Sequence, residues 1–189
     1  GKYQQKSDLP YIPAINGDNL KLTIDLQYQS ILQDELERRR IETNSISAMG
    51  IIMNPQTGAI LAMSSMPGFD NNSFSKFDIS KHRCKVFTDQ FEPGSTYKIV
   101  TAIAAMDEGK LNLFEEYNCE NGEFIYFDKK IEDHEKYGHL NLSQIMKYSS
   151  NIGIIKIAEK IGSKTLYKYS RLFGFGSKSK IDLYGESNG

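Results

Sequence analysis

The stretch FEPGSTYKIVTAIAAMDEG, residues 91–109, sets the tightest condition on how this chain can fold. Pro93 and Gly94 break the backbone, and an apolar run follows at once, with Ile99, Val100, Ile103, Ala104 and Met106 offered for burial before Gly109 ends it. So apolar a helix needs a core around it, which the rest of the chain must supply. Ser95 falls at the helix N-terminus, where unpaired backbone N–H groups and the macrodipole favour developing negative charge. Lys98 lies on the same face, within reach of the Ser95 hydroxyl, so the pair reads as a nucleophile and its base. The spacing itself is cheap: Ser-x-x-Lys recurs at Ser73…Lys76 in a polar segment and at Ser177…Lys180 leading into a turn. A plain N-cap is the alternative for Ser95, and this segment alone leaves both readings open.

With 189 residues the chain can bury one sizeable core, as one domain or one domain with a tail. A net charge of −1 with 25% charged residues leaves no basic footprint for nucleic acid and no acidic tail. No apolar run approaches the roughly 18 residues of a membrane span, and Gly1 opens no signal-peptide pattern. Either the chain is soluble or its targeting segment lies outside it. Cys84 and Cys119 lack metal-ligand spacing and read as free thiols or one disulfide; no cofactor is expected.

Residues 1–16 are polar and punctuated by proline, which reads as a linker or strap, and residues 17–189 as the domain proper. LKLTI, residues 20–24, alternates like a short strand, and Asp25 can cap a helix over LQYQSILQDELERRRIE that ends in the solvated Arg38–Arg40 run. SAMGIIMNPQTGAILAMSS reads as two strands around an Asn54–Gly58 turn, and residues 67–90 as irregular and polar. The second half reads as mostly helical, with a cap at Asn141 or Ser143 and an interruption around Ser149–Asn151. Strands first and helices after indicate an α+β fold.

KYSSNIG supplies a second set of chemical groups. Ser149 and Asn151 stand two apart at a helix break and can both point into one cleft, the hydroxyl relaying a proton and the amide both accepting and donating. Taken singly they are a capping serine and a turn asparagine. His82, His134 and His139 with Asp133 raise a metal site, but DHEKYGH reads as a polar surface loop without a paired ligand set. Glu92 reads as a surface or supporting charge, and Tyr97 as packing beside the cleft.

Together, Ser95-x-x-Lys98 and Ser149-x-Asn151 resemble the penicillin-binding proteins, in which these two motifs meet a later Lys-Thr-Gly. LTIDLQYQ, MNPQTGAILAMSSMPGFDNN, DQFEPGSTYK, IMKYSSNIGIIKIAEKIG and FGFGSKSKIDLYGESNG are similar, in order, to blocks of the class B, monofunctional transpeptidases, and FEPGST and GESNG look closer to the division-specific septal branch. No Lys-Thr-Gly or Lys-Ser-Gly occurs, and Lys164-Thr165 lies between the wrong blocks. The resemblance therefore implies a partial transpeptidase domain: the first strands of an antiparallel sheet plus the helical subdomain, with C-terminal strands missing and an apolar face or edge left uncovered. It also implies an N-terminal pedestal module beyond residues 1–16 and a membrane anchor that holds the protein on the outer, periplasmic face of the cytoplasmic membrane.

By the same resemblance, the chain is a serine D,D-transpeptidase that cross-links peptidoglycan stem peptides. Ser95 would form the acyl-enzyme, Lys98 act as base, Ser149 pass the proton and Asn151 orient Lys98 and the substrate amide. Substrate contacts would fall to Ser95, Ser149 and Asn151. Expected partners are a D-Ala-D-Ala donor, an amine acceptor, β-lactam antibiotics and other cell-wall synthesis or division proteins, with no nucleic acid. A serine β-lactamase or β-lactam sensor of the same fold, and a non-catalytic division scaffold, stand as alternatives.

Overall fold

A computed structural model describes residues 13–189, so residues 1–12 of the expected strap lie outside the described residues. The described residues form two compact units, the first ending at His82 and the second spanning residues 83–189.

In the first unit, helix α1 (Leu26–Glu42) lies on a hairpin of β1 (Ala48–Met53) and β2 (Ile60–Met66). Asp25 caps α1, its carboxylate accepting from the Gln27 and Tyr28 N–H groups. The hairpin is antiparallel with Gly50 opposite Ser64, and its turn is closed by Asn54, whose side chain accepts from the Gln56 and Thr57 N–H groups. Gly50 lets the helix approach: a Cβ there would stand 2.9 Å from Leu32 Cδ1. Gln29 then closes part of β2 from the helix side, accepting from the Met63 N–H at 2.9 Å and donating to the Met63 carbonyl at 3.0 Å. Residues 20–24 do not form the expected strand. Asp25 donates one backbone bond to Leu61 and Thr23 Oγ1 one to Ile60, but Leu20 and Leu22 face solvent, so alternation without a surface to bury did not make a ladder. Met49, Ile51 and Met53 on β1 are likewise exposed. Arg38 and Arg40 pair with Glu35, Glu37 and Glu42 along the α1 surface.

The second unit begins with the short helix α2 (Lys85–Thr88), and α3 (Lys98–Asp107) then runs through its centre, entered by a 3-10 turn over Gly94–Tyr97. The buried side of α3 is not its bulkiest. Val100, Thr101, Ala102, Ala104 and Ala105 are buried, whereas Ile99 and Met106 are about half exposed at 49% and 52%. The small residues admit close packing by α5 (Asn151–Ile161) and α6 (Ser163–Leu172), and the Ile99, Ile103, Met106 stripe is left outward.

Between α3 and α4, in a half that reads as mostly helical, the chain instead forms two antiparallel strand pairs, one enclosed in sequence by the other. In one, β3 (Glu116–Asn118) pairs with β6 (His139–Asn141); in the other, β4 (Glu123–Tyr126) pairs with β5 (Lys129–Glu132). Helix α4 (Leu142–Tyr148) follows β6 directly and is started by a capping box between Asn141 and Gln144. Ile145, Ile152, Ile157 and Cys119 close the core against α3.

Candidate active site

Three consecutive residues, Ser149, Ser150 and Asn151, make the joint between α4 and α5, and each has a separate task. Ser149 ends α4 in the left-handed conformation, at φ 56° and ψ 39°. A non-glycine residue holds that conformation at a cost of roughly 1–2 kcal/mol, so the surroundings have to impose it. Ser150 caps α5, its Oγ accepting from the Gly153 N–H at 2.9 Å. Gly153 is required by proximity: a Cβ there would stand 2.6 Å from Ile145 Cγ1. This tight joint leaves Ser149 and Asn151 directed at the start of α3.

Lys98 meets them. Its side chain is buried, with 8% of the residue exposed, and its Nζ donates to the Ser149 carbonyl, to Ser149 Oγ at 2.9 Å and to Asn151 Oδ1 at 2.7 Å. An ammonium has three donors, and these three acceptors occupy all of them. Ser149 Oγ in turn donates to Ser95 Oγ at 2.9 Å. The two motifs therefore converge, but Lys98 reaches Ser95 through Ser149 rather than directly across the helix turn, as the shared helix face had suggested. Ser95 itself is exposed in the 3-10 turn behind Gly94, whose φ of 59° makes the sharp entry.

Burial pushes the Lys98 ammonium below the ordinary lysine value, and the negative charge of Asp133 pulls the other way. The net lowering enlarges the fraction of neutral amine, the form that can take a proton.

Asp133, read from the sequence as part of a polar surface loop, is instead turned toward this joint. Among the described residues no group of three or more His, Cys, Asp or Glu could hold a metal ion. His82 belongs to the first unit, its ring tilted against Phe69 at a centroid distance of 4.5 Å, and His139 lies exposed on β6. Asp133 instead accepts from Ser150 Oγ at 2.6 Å and from the Asn151 and Ile152 N–H groups at 2.5 and 3.1 Å. The adjoining Glu132 carbonyl accepts from Asn151 Nδ2 at 2.8 Å, which fixes the amide with its oxygen toward Lys98. The signal that could have found Asp133 is its type, a helix-capping carboxylate, but the helix it serves is eighteen residues away in sequence.

The remaining candidates have other surroundings. Tyr97 OH bonds Ser170 Oγ and its ring packs edge-on to Phe175 at 5.2 Å, so it braces the turn that carries Ser95. Glu92 is exposed. Ser73 sits in a 3-10 turn of the first unit, and Lys180 is held in the loop clamped by Glu186.

Comparison with known proteins places this geometry. A profile of the penicillin binding protein transpeptidase domain matches residues 48–189. Stage V sporulation protein D of Bacillus subtilis is 34% identical over 182 residues, 95% of this chain and 28% of that protein. The peptidoglycan D,D-transpeptidase FtsI of Escherichia coli K12 is 30% identical over 176 residues, 90% of this chain and 29% of that protein. Among solved structures, the transpeptidase domain of Burkholderia pseudomallei penicillin-binding protein 3 superposes with a TM-score of 0.77 at 26% identity, covering 89% of this chain and 46% of that one. The chain thus spans less than a third of the length of these curated relatives.

Proposed function

This chain belongs to the penicillin-binding-protein transpeptidase family, and from that premise we propose that it carries the acylation half of a peptidoglycan D,D-transpeptidase site. The observation that carries the reading is the unbroken hydrogen-bond path from buried Lys98 Nζ through Ser149 Oγ to exposed Ser95 Oγ. Ser95 Oγ attacks the carbonyl carbon of the penultimate D-Ala of a stem peptide. Its proton passes to Ser149 Oγ as Ser149 gives its own to neutral Lys98, so one proton moves the length of the path. The C–O bond forms, the C–N bond to the terminal D-Ala breaks, and the proton returns by the same path to the leaving amine. An acceptor amine then attacks the ester, with proton flow reversed. The Ser95 backbone N–H, at the head of the helix, is one donor for the oxyanion.

The chain's share of its relatives supports reading it as the N-terminal part of a longer transpeptidase domain, with a Lys-Thr-Gly strand and a second oxyanion donor supplied by residues after Gly189. Residues 1–16 are then the strap from a preceding module, and residues 17–189 the domain. Among the described residues no helix is long and apolar enough to cross a membrane; an N-terminal segment would anchor the protein on the periplasmic face. A septal role is in line with the likeness to FtsI, and docking to other division proteins is part of the same proposal. The test is turnover by the complete gene product of a stem pentapeptide with an amine acceptor. D-Ala release matched by cross-linked dimer is expected, with both lost in Ser95→Ala. Hydrolysis of β-lactams with no dimer formed would replace this reading with a β-lactamase.

A further inference from the structure

The carboxylate of Asp133 sits just past β5 and is not needed to end that strand, whose ladder is already continued by the Asp133 N–H to the Gly122 carbonyl at 3.0 Å. Its oxygens turn the other way. One accepts from two successive backbone N–H groups in the first turn of α5, and the other takes the Ser150 hydroxyl, so all three contacts fall on the Ser149–Asn151 joint or the residue after it. We propose that Asp133 is a positioning residue for this site, one that closes the first turn of α5, thereby holds Ser149 and Asn151 against Lys98, and acts on Lys98 as its counter-charge. The inference rests on the transpeptidase reading for its effect on acylation, but not for its effect on Lys98.

The two roles pull in opposite directions. As a clamp, Asp133 builds the relay by keeping Ser149 left-handed and the Asn151 oxygen on the ammonium. As a charge, it favours the cationic form of Lys98 and so limits how much neutral amine is present, opposing burial. Several other charged groups on the elements around Lys98 are turned to partners of their own. Glu132 on β5 pairs with Lys130 at 2.7 Å, and Lys156 on α5 pairs with Glu120. Lys147 on α4 lies over the Tyr148 ring at 5.2 Å. At the far end of α3, Asp107 accepts from Tyr169, and Lys168 on α6 pairs with Glu108 at 2.8 Å. The Asp133 carboxylate accepts from the backbone of Asn151, the residue whose amide oxygen takes Lys98 Nζ, and its negative charge there opposes the lowering by burial.

The roles separate by substitution. Asp133→Asn keeps an oxygen for the Asn151 and Ile152 N–H groups and removes the charge; its NH2 donates to Ser150 Oγ, whose own proton can turn to Cys119 Sγ, 3.5 Å away. Asp133→Ala removes clamp and charge together. The first measurement is trace acetylation of the complete gene product across a pH series, with Lys98 modification read by mass spectrometry to give its titration midpoint. The midpoint is expected at lower pH in Asp133→Asn than in wild type; an unchanged midpoint overturns the counter-charge. The second is the acylation rate by a chromogenic β-lactam against pH. In Asp133→Asn the acid limb moves to lower pH, whereas Asp133→Ala loses about 10-fold or more even on the alkaline plateau, because the relay is misplaced. Asp133→Ala acylating as fast as Asp133→Asn on that plateau overturns the clamp, and should Asp133→Ala not fold, a plateau unchanged in Asp133→Gly and Asp133→Ser does the same. The acetylation midpoint needs no catalysis, so failure of the wild-type protein to acylate would count against the proposed function and leave the charge result standing.

Discussion

Lys98 is a buried amine with every donor engaged, and that combination decides what its loss does. Without it Ser149 Oγ has no group to pass a proton to, so Lys98→Ala should slow acylation by a β-lactam by about 10²–10⁴, the usual cost of removing a general base. Stopped-flow kinetics read this directly, and a loss under tenfold would contradict the relay. The sign of the pH dependence follows from the lowered value of Lys98. Below its midpoint the amine is protonated and cannot accept, so the acylation rate should rise with pH through a midpoint below the ordinary lysine value of about 10.4 and then level off. The placement of Ser95 and Lys98 at the head of α3 was legible in the sequence because a Pro-Gly break and an apolar run mark where the helix starts. That Lys98 reaches Ser95 through Ser149 was not, since helix spacing says which residues share a face but not that Ser149 and Asn151 would take all three donors.

Elements that present the site are short, and their joints carry the precision. Gly153→Ala should force α4 and α5 apart, because its Cβ would stand 2.6 and 2.7 Å from Ile145 carbons in a buried contact. An overpacking cost of about 1–3 kcal/mol is expected in chemical denaturation, with acylation falling as well, since the displaced joint is the one that aims Ser149. Asn141→Ala removes the capping box at the other end of α4 and should cost about 1 kcal/mol while leaving acylation nearly unchanged. A large kinetic effect there would mean that all of α4, not its C-terminal joint, positions the relay. The helices were legible from caps and periodicity: Asp25, Asn141 and Gly109 all stand where the elements begin or end. The two strand pairs over residues 116–141 were not. Their strands are three or four residues long, rich in Glu, Lys and Asn, and pair across a gap, so no period-2 stripe announces them. Missing them is what hid Asp133, which is carried to the site by β5.

At the scale of the whole chain, apolar side chains remain uncovered in each unit: Met49, Ile51 and Met53 along β1, and Ile99, Ile103 and Met106 along α3. Stripes of this kind bind apolar probes and other chains. Residues 1–189 produced alone should therefore bind an environment-sensitive apolar dye more strongly, per mole, than the complete gene product does; equal binding would count against further strands covering these faces. The α+β class was legible from strands preceding helices and the block order from the family resemblance, but which side of α3 is buried was not, because small residues rather than large ones face α5 and α6. The central claim is that Ser95, alone among the serines in Ser-x-x-Lys spacing, is the nucleophile. It is tested most directly by incubating the complete gene product with a labelled penicillin, digesting it and locating the adduct by mass spectrometry. One adduct on Ser95 is expected, absent in Ser95→Ala and retained in Ser73→Ala and Ser177→Ala; an adduct on any other serine, or labelling that survives Ser95→Ala, would contradict it.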